Sequence, residues 1–264
     1  MDLDDKRLAD VLKAIAPHAL AEPTPRWVRV RIGDALVADS RRALLCVQYG
    51  PGPVPRTFLP TYFVPADDVT VGALIDPVED GSGLISWTVR GDGLSADGAA
   101  WSHRTLASPL TALAGMVTFS WEPPITWFEE DEPLIAHARD PHKRVDVLES
   151  SREVRVEVDG VVLAESRRPL VLFENPLPPR YYLSPDDVCA ELLPSATTST
   201  CPYKGVASWW SVRIGDQLVE DIAWSYPRPV PENPRIASRI CFRNERVDLI
   251  VDGVPLERPV TPWS

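Results

Sequence analysis

The segment Cys201-Pro202-Tyr203-Lys204-Gly205 brings a thiol, a phenol and an amine together, with a proline and a glycine to fix the backbone. Proline locks its own φ and glycine admits a close approach, so Tyr203 and Lys204 are offered from a stiff loop running into a strand through Trp210, Val212 and Ile214. Only four of the chain's 27 cations are lysines, and Lys204 is the lysine of residues 151–264. A lysine where arginine is the habit suits a compact point charge on a phosphate or carboxylate, or an amine that forms a Schiff base. A structural turn with a solvated lysine is the plainer alternative. Cys201 as a nucleophile needs a base, and none of His18, His103, His137 and His142 lies in residues 151–264. Tyr203 or Lys204 would serve only in part, and a buried or turn cysteine explains Cys201 better.

Four further residues extend this constellation. Trp209 has the strand parity of Ser211 and Arg213, and Trp224 that of Tyr226. An aromatic wall with Arg213 and Lys204 at its rim suits a flat or anionic small molecule. Core packing explains Trp224 equally well, and Trp87 and Trp210, which share a parity with Val89 and Val212, read as core. The expected ligand set is therefore Tyr203, Lys204, Trp209, Arg213, Trp224 and Tyr226, with Lys204, Tyr203 and Cys201 as the candidates for any catalysis.

Other chemistries find less support. Cys46, Cys189, Cys201 and Cys241 form no CxxC pair and show no repeated spacing, so neither a structural zinc site nor a disulfide framework is expected. Nucleotidyl transfer needs carboxylates on one face, typically D-x-D on a strand, beside a glycine-rich phosphate loop. Asp67-Asp68 and Asp186-Asp187 are adjacent instead, and their setting reads as helix starts. The run Glu129-Glu130-Asp131-Glu132 and the cluster Arg139, His142, Lys143 and Arg144 read as solvated faces that steer docking of the two halves. A basic phosphate pocket is the sharper alternative. Arg41-Arg42 and Arg167-Arg168 recur after a strand and are expected to pair with the acids of the helix starts.

A net charge of -11 over 264 residues excludes a nucleic-acid binder working through a general basic surface. No apolar run reaches the roughly 20 residues of a membrane span, and nothing at the N-terminus reads as an export signal, so a cytoplasmic protein is expected. No tightly bound metal or other cofactor is expected. Prolines number 28, about twice the usual share, which favours short segments between rigid turns.

The elements that position these residues come in two copies. VRVRIGDALVADSRRALL from Val28 matches VRVEVDGVVLAESRRPLV from Val154, and Tyr62-Phe63-Val64 answers Tyr181-Tyr182-Leu183. Trp87, Val89, Trp101 and Ser102 answer Trp210, Val212, Trp224 and Ser225. Val28, Val30 and Ile32 alternate with arginines, and Val154, Val156 and Val158 alternate with Arg155 and Glu157, which marks strands with one buried face. Val158-Asp159-Gly160-Val161, Val251-Asp252-Gly253-Val254 and Ile214-Gly215-Asp216-Gln217 read as hairpin turns. The fold class is therefore mainly β: two tandem antiparallel domains of roughly six or seven strands each. Helix is scarce: an N-terminal one through Leu8, Val11, Leu12 and Ile15, stopped by Pro17, and a short one over Val188–Leu193 capped by Ser184-Pro185. The expected domains are 1–26 (helix and linker), 27–133 (first repeat), 134–150 (linker) and 151–264 (second repeat).

WFEEDEPL from Trp127, RDPHKRVDVL from Arg139, ESRRPLVLFE from Glu165, LPPRYYL from Leu177, CPYKG from Cys201, SVRIGD from Ser211 and AWSYP from Ala223 together resemble the tandem form of the bacterial family called domain of unknown function 427. The resemblance spans nearly the whole chain. It implies a β-tent fold, two antiparallel sheets pinned at one edge and open at the other, and carries a nucleotidyltransferase label. The first repeat departs from the pattern: 17 residues separate Val69 from Trp87 against 21 between Val188 and Trp210, and nothing replaces CPYKG. The two repeats are then expected to form an intramolecular pseudo-dimer whose second member holds the site. Three functions stay open: a binder of a small anionic or aromatic molecule, an enzyme acting through Lys204 or Cys201, and a structural or protein-interaction module.

Overall fold

A computed structural model describes residues 19–50, 52–174 and 177–261. The helix expected over Leu8–Ile15 lies outside the described residues. Two compact units meet in sequence between Asp140 and Pro141. The first holds β1 (Leu20–Pro23), β2 (Val28–Ile32), β3 (Ala35–Ser40), β4 (Leu44–Val47), β5 (Thr61–Phe63), β6 (Leu74–Glu79), β7 (Leu84–Gly91), β8 (Leu94–His103), β9 (Val117–Phe119), β10 (Ile125–Glu129) and β11 (Glu132–Pro133). The second holds β12 (Val145–Glu149), β13 (Val154–Val158), β14 (Val161–Ser166), β15 (Leu170–Glu174), β16 (Arg180–Leu183), β17 (Leu192–Cys201), β18 (Gly205–Ile214), β19 (Gln217–Ser225), β20 (Ile240–Phe242), β21 (Asp248–Val251) and β22 (Val254–Pro255). Each strand of the first unit has its counterpart eleven places later, so the repeat extends to every element among the described residues.

In the second unit seven antiparallel strands run in the order β12-β15-β16-β20-β19-β18-β17, and a four-stranded sheet runs β14-β13-β21-β22. The first unit repeats the smaller sheet as β11-β10-β2-β3. Its larger sheet falls into β1-β4-β5 and β6-β7-β8-β9, joined by reciprocal backbone bonds of 2.8 Å between Val64 and Val117. Period-two patterning explains both cores. Val28, Val30 and Ile32, and likewise Val154, Val156 and Val158, are buried, while the intervening charged residues face outward. In the second unit these valines close on Val171, Leu183, Val212, Ala223 and Phe242 from the seven-stranded sheet. Trp210 and, in the first unit, Trp87 pack against these cores as their parity predicts.

The Asp-Gly turns form as expected: Asp159 and Gly160, and Asp252 and Gly253, all take positive φ between 50° and 77°. Three expectations need correction. Short strands and tight turns give eleven strands per unit in place of six or seven, because bulges and prolines cut the chain into pieces of two to ten residues. The helix expected over Val188–Leu193 is a single 3₁₀ turn, Pro185–Asp187. Val188 bridges Ala164 and Leu192 enters β17, so sheet pairing takes the backbone that a helix would have used. Residues 134–150 are more than a linker: β12 lies within them and pairs along its length with β15, as β1 in the expected leader pairs with β4. Of the two arginine pairs, Arg42 bonds Asp67 (3.2 Å) and Asp68, whereas Arg167 turns to Glu153 (3.2 Å).

Candidate functional site

The seven-stranded sheet of the second unit has a face turned away from the inter-sheet core. Alternation along the strands sends Leu170, Leu172, Tyr182, Ala207, Tyr226 and Cys241 to that face, where Ile236 joins them in a second, smaller core. The proline-rich stretch after Tyr226 crosses the hairpin between β17 and β18. Gly205 bridges Pro229, Val230 donates its N–H to the Lys204 carbonyl at 3.1 Å, and Asn233 Nδ2 donates to the Tyr203 carbonyl at 2.8 Å. Gly205 is required here. Its φ is +110°, and a Cβ would stand 3.1 Å from the Arg228 carbonyl oxygen. The CPYKG segment is thus the turn of this hairpin, clamped from above.

That clamp buries Lys204. Its Nζ bonds Glu174 Oε2, and Lys143 Nζ meets the other oxygen, Oε1, at 2.9 Å. All three side chains are at most 12% exposed. Burial raises the Glu174 carboxyl, but the charges of Lys204 and Lys143 win and bring it down to about 2. Burial likewise opposes the charge on Lys204, and the neighbouring Cys201 and Glu174 more than offset it, so the amine stays protonated. Lys204 is held as a cation by Glu174 in an apolar setting. Tyr203 is buried, its ring 5.1 Å beneath the Lys143 ammonium. The cluster Arg139, His142, Lys143 and Arg144 is therefore not simply a solvated face, since Lys143 enters this site.

A second set of side chains lies one row along the same face. Tyr182, Cys241, Trp224 and Trp209 stand opposite one another on β16, β20, β19 and β18. Trp209 and Trp224 rest 5.3 Å apart, both half-buried. Trp224 Nε1 donates to Tyr182 Oη at 3.2 Å and Trp209 Nε1 to Ser199 Oγ at 2.9 Å. The Arg180 guanidinium lies 5.4 Å from the Trp224 ring and forks onto Glu245 through bonds of 2.8 and 2.6 Å. Tyr226, two residues from Trp224, connects this shelf to Lys204, and burial pushes its phenol up, so it stays neutral. Cys241 is buried and pushed up by desolvation to about 12, whereas Cys201 is half-buried.

Of the six residues expected to bind ligand, five share this face or its hairpin: Tyr203, Lys204, Trp209, Trp224 and Tyr226. Arg213 does not join them. It is exposed at the far end of β18, opposite Leu218, nine residues from Lys204 and so roughly 30 Å along the strand. Sequence reasoning missed Glu174, Lys143, Arg180, Glu245 and Tyr182. One signal was present: a carboxylate closing the apolar run Leu170–Phe173 needs a buried cation, and a lysine two strands away in the same repeat supplies it.

The first unit presents the same face with different chemistry. Gln48 stands where Glu174 does and is satisfied by backbone: it donates to the carbonyls of Val54 (3.1 Å) and Thr57 and accepts from Val54 N–H (3.0 Å). Phe63, Thr118, Trp101 and Ser86 replace Tyr182, Cys241, Trp224 and Trp209. Without a counterpart to Tyr182 Oη, the buried Trp101 indole N–H has no hydrogen-bond partner. His103, in the place of Tyr226, is buried, bonds the Pro55 backbone and is held below the usual histidine range by desolvation.

Among the described residues no group of three or more His, Cys, Asp and Glu is placed to hold a metal ion, and no helix is long and apolar enough to cross a membrane. The paired acids serve the scaffold: Asp68 accepts from Ser40 and Arg42, and Asp187 accepts from Ser166 Oγ at 2.7 Å. No curated protein matches the chain. A family model described as domain of unknown function (DUF427), whose label names a nucleotidyltransferase, matches residues 20–130 and again 146–253. The chain belongs to this family, as a tandem pair.

Proposed function

For this tandem member of the DUF427 family, we propose a small-molecule-binding role, with the site on the outer face of the seven-stranded sheet in the second unit. The ligand is flat and anionic: its plane rests on Trp209 and Trp224, beside the Arg180–Glu245 fork, and its anionic group is directed along Tyr226 toward Lys204. The observation that carries the reading is the buried, charge-held Lys204 beside a half-buried tryptophan pair on one sheet face. Removing an ammonium from water costs several kcal/mol unless it is paired, and a fold that only needs a stable sheet does without it, as the first unit does with Gln48. Aromatic planes with one fixed charge are the usual composition of a site for such a molecule.

The family's nucleotidyltransferase label is not part of this reading, because the acid pairs are spent on serine and arginine partners within the scaffold. An enzyme acting through Lys204 as an amine nucleophile is disfavoured by the Glu174 carboxylate that retains its proton. A thiol reaction at Cys201 is the second reading, favoured by its half-buried sulfur beside the protonated Lys204. Native mass spectrometry of the protein as purified, compared with Lys204→Ala and Trp224→Ala, tests the proposal. An additional mass that both variants lose supports binding. A bare chain in all three, with no rise in Tm from nucleotides or aromatic carboxylates, refutes it. Retained binding in Cys201→Ser with lost turnover would favour the thiol.

A further inference from the structure

A cleft of about 680 Å³ opens elsewhere on the second unit, away from CPYKG, where the turn after β14 approaches the residue preceding β20. Arg167, Arg168 and Arg239 line it, together with the hydroxyls of Ser150, Ser151 and Ser184. The repeat shows what is unusual about these arginines. Arg42, the first-unit counterpart of Arg168, is consumed by Asp67 and Asp68. Arg168 follows the same Ser-Arg-Arg turn and faces the same pair of acids, yet among the described residues its guanidinium forms no ion pair. The serine contacts are common to both units, Ser40 to Asp68 and Ser166 to Asp187 at 2.7 Å with the arginine N–H on the serine Oγ at 3.1 and 3.2 Å, so what the second unit lacks is the guanidinium bond itself.

Arg239 is the second departure. Its first-unit counterpart is Met116, one residue before β9 as Arg239 is one residue before β20. Among the described residues the Arg239 side chain also makes no ion pair. Of the acids at the cleft, Glu149 is taken by Arg235 at 2.6 Å, which leaves Asp186 at the rim. Ser184 precedes the 3₁₀ turn Pro185–Asp187 without capping it, so its hydroxyl is not spent on the backbone. Two unpaired guanidinium groups and serine hydroxyls lining one cleft match an oxyanion that accepts several hydrogen bonds, and arginine's planar fork matches phosphate oxygens in particular. The volume falls in the range of small-molecule sites and exceeds what an inorganic ion needs.

We infer that this cleft binds the phosphate group of a phosphorylated small molecule, held by Arg168 and Arg239 and by the Ser184 hydroxyl. The site is separate from the one proposed around Lys204. Isothermal titration of the full chain with ribose 5-phosphate, glycerol 3-phosphate and inorganic phosphate, none of which offers a flat ring to the tryptophans, tests it, alongside Arg168→Gln, Arg239→Met and Lys204→Ala. Arg168 is exposed and Arg239 half-buried, and neither sits in an ion pair among the described residues, so these variants are expected to stay near the wild-type Tm, which is measured in parallel. Each arginine substitution is expected to weaken the two phosphate esters by about tenfold or more, the usual effect of losing one charge-assisted contact. Lys204→Ala, titrated well below its own lowered Tm, binds them within about twofold of wild type, Arg168→Lys falls between, and affinity declines with added salt. No binding of any phosphate probe by wild type at millimolar concentration overturns the inference. So does binding that both arginine variants retain, and so does binding lost in Lys204→Ala alone, which would move the ligand to the hairpin site and leave this cleft empty.

Discussion

Glu174→Gln isolates the element on which the binding reading depends. The substitution keeps the side chain's shape and removes one negative charge, leaving the ammonium groups of Lys204 and Lys143 against a neutral amide. Removing one partner of a buried ion pair costs about 3–5 kcal/mol, because the remaining charge stays desolvated. The carboxyl's own titration gives a second route to the magnitude. Its fall from an ordinary 4.5 to about 2 corresponds to roughly 3 kcal/mol at ~1.36 kcal/mol per tenfold. Both routes place the effect near ~3 kcal/mol. With a urea dependence of about 1–3 kcal/mol per molar, the unfolding midpoint of the second unit drops by roughly 1–3 M.

The same pair sets a pH window. Glu174 is more acidic folded than unfolded, so its stabilisation is complete above the unfolded value of 4.5 and is lost as pH falls toward about 2. Urea titrations of the full chain by tryptophan fluorescence, at pH values from 7 down to 3, read both effects. The wild-type minus Glu174→Gln difference is expected to be full at pH 7 and to shrink below pH 4.5. Glu174→Gln/Lys204→Met should recover part of the loss, since it removes one cation as well. A Glu174→Gln protein within ~0.5 kcal/mol of wild type at pH 7, with a difference that does not change on acidification, would refute the reasoning and return Lys204 to solvent.

Phe63→Tyr should stabilise the first unit by about 1 kcal/mol, by giving Trp101 Nε1 the acceptor that Tyr182 gives Trp224, and a urea titration reads it. Gly205→Ala should cost about 1–3 kcal/mol, because φ of +110° strains any side chain there and the Cβ meets the Arg228 carbonyl; thermal unfolding measures the loss. Native thiol labelling followed by mass spectrometry should modify Cys189 fastest and Cys201 more slowly. Cys46 and Cys241 stay unlabelled until the chain unfolds, since burial raises both thiols to about 12.

Much of the scaffold was legible because it follows from local rules. Alternating Val28, Val30 and Ile32 mark a half-buried strand, and Asp159-Gly160 marks a type I′ reversal whatever surrounds it. The short helix failed for the opposite reason. Ser184-Pro185-Asp186-Asp187 has the composition of a helix start, but Val188 and Leu192 find strand partners in Ala164 and Val212, and pairing with distant residues overrides a local preference. The candidate site divides the same way. Lys204 and the tryptophans announced themselves by type and parity, whereas Glu174 and Lys143 join them only through β12 and β15, strands that lie 30 to 60 residues earlier in the chain. Arg213 was misplaced because parity fixes a face but not a position along the strand.

The internal repeat carries the argument one step further. Between the two units, the residues that close the inter-sheet core keep their apolar character, and most keep their size: Val30 and Val156, Val64 and Leu183, Val89 and Val212, Phe119 and Phe242, with Trp127 answered by the smaller Leu249. Packing at crystal-like density leaves those positions little freedom. The outer face varies instead. Gln48 becomes Glu174, Phe63 becomes Tyr182, Ser86 becomes Trp209, His103 becomes Tyr226 and Thr118 becomes Cys241, and at the arginine-lined cleft Met116 becomes Arg239. A purely structural duplication has no reason to gather its changes on one face, or to add a buried ion pair and a half-buried aromatic shelf to one copy. Divergence gathered on that face agrees with the proposed reading, in which one copy holds the site and the other supplies a stable sheet.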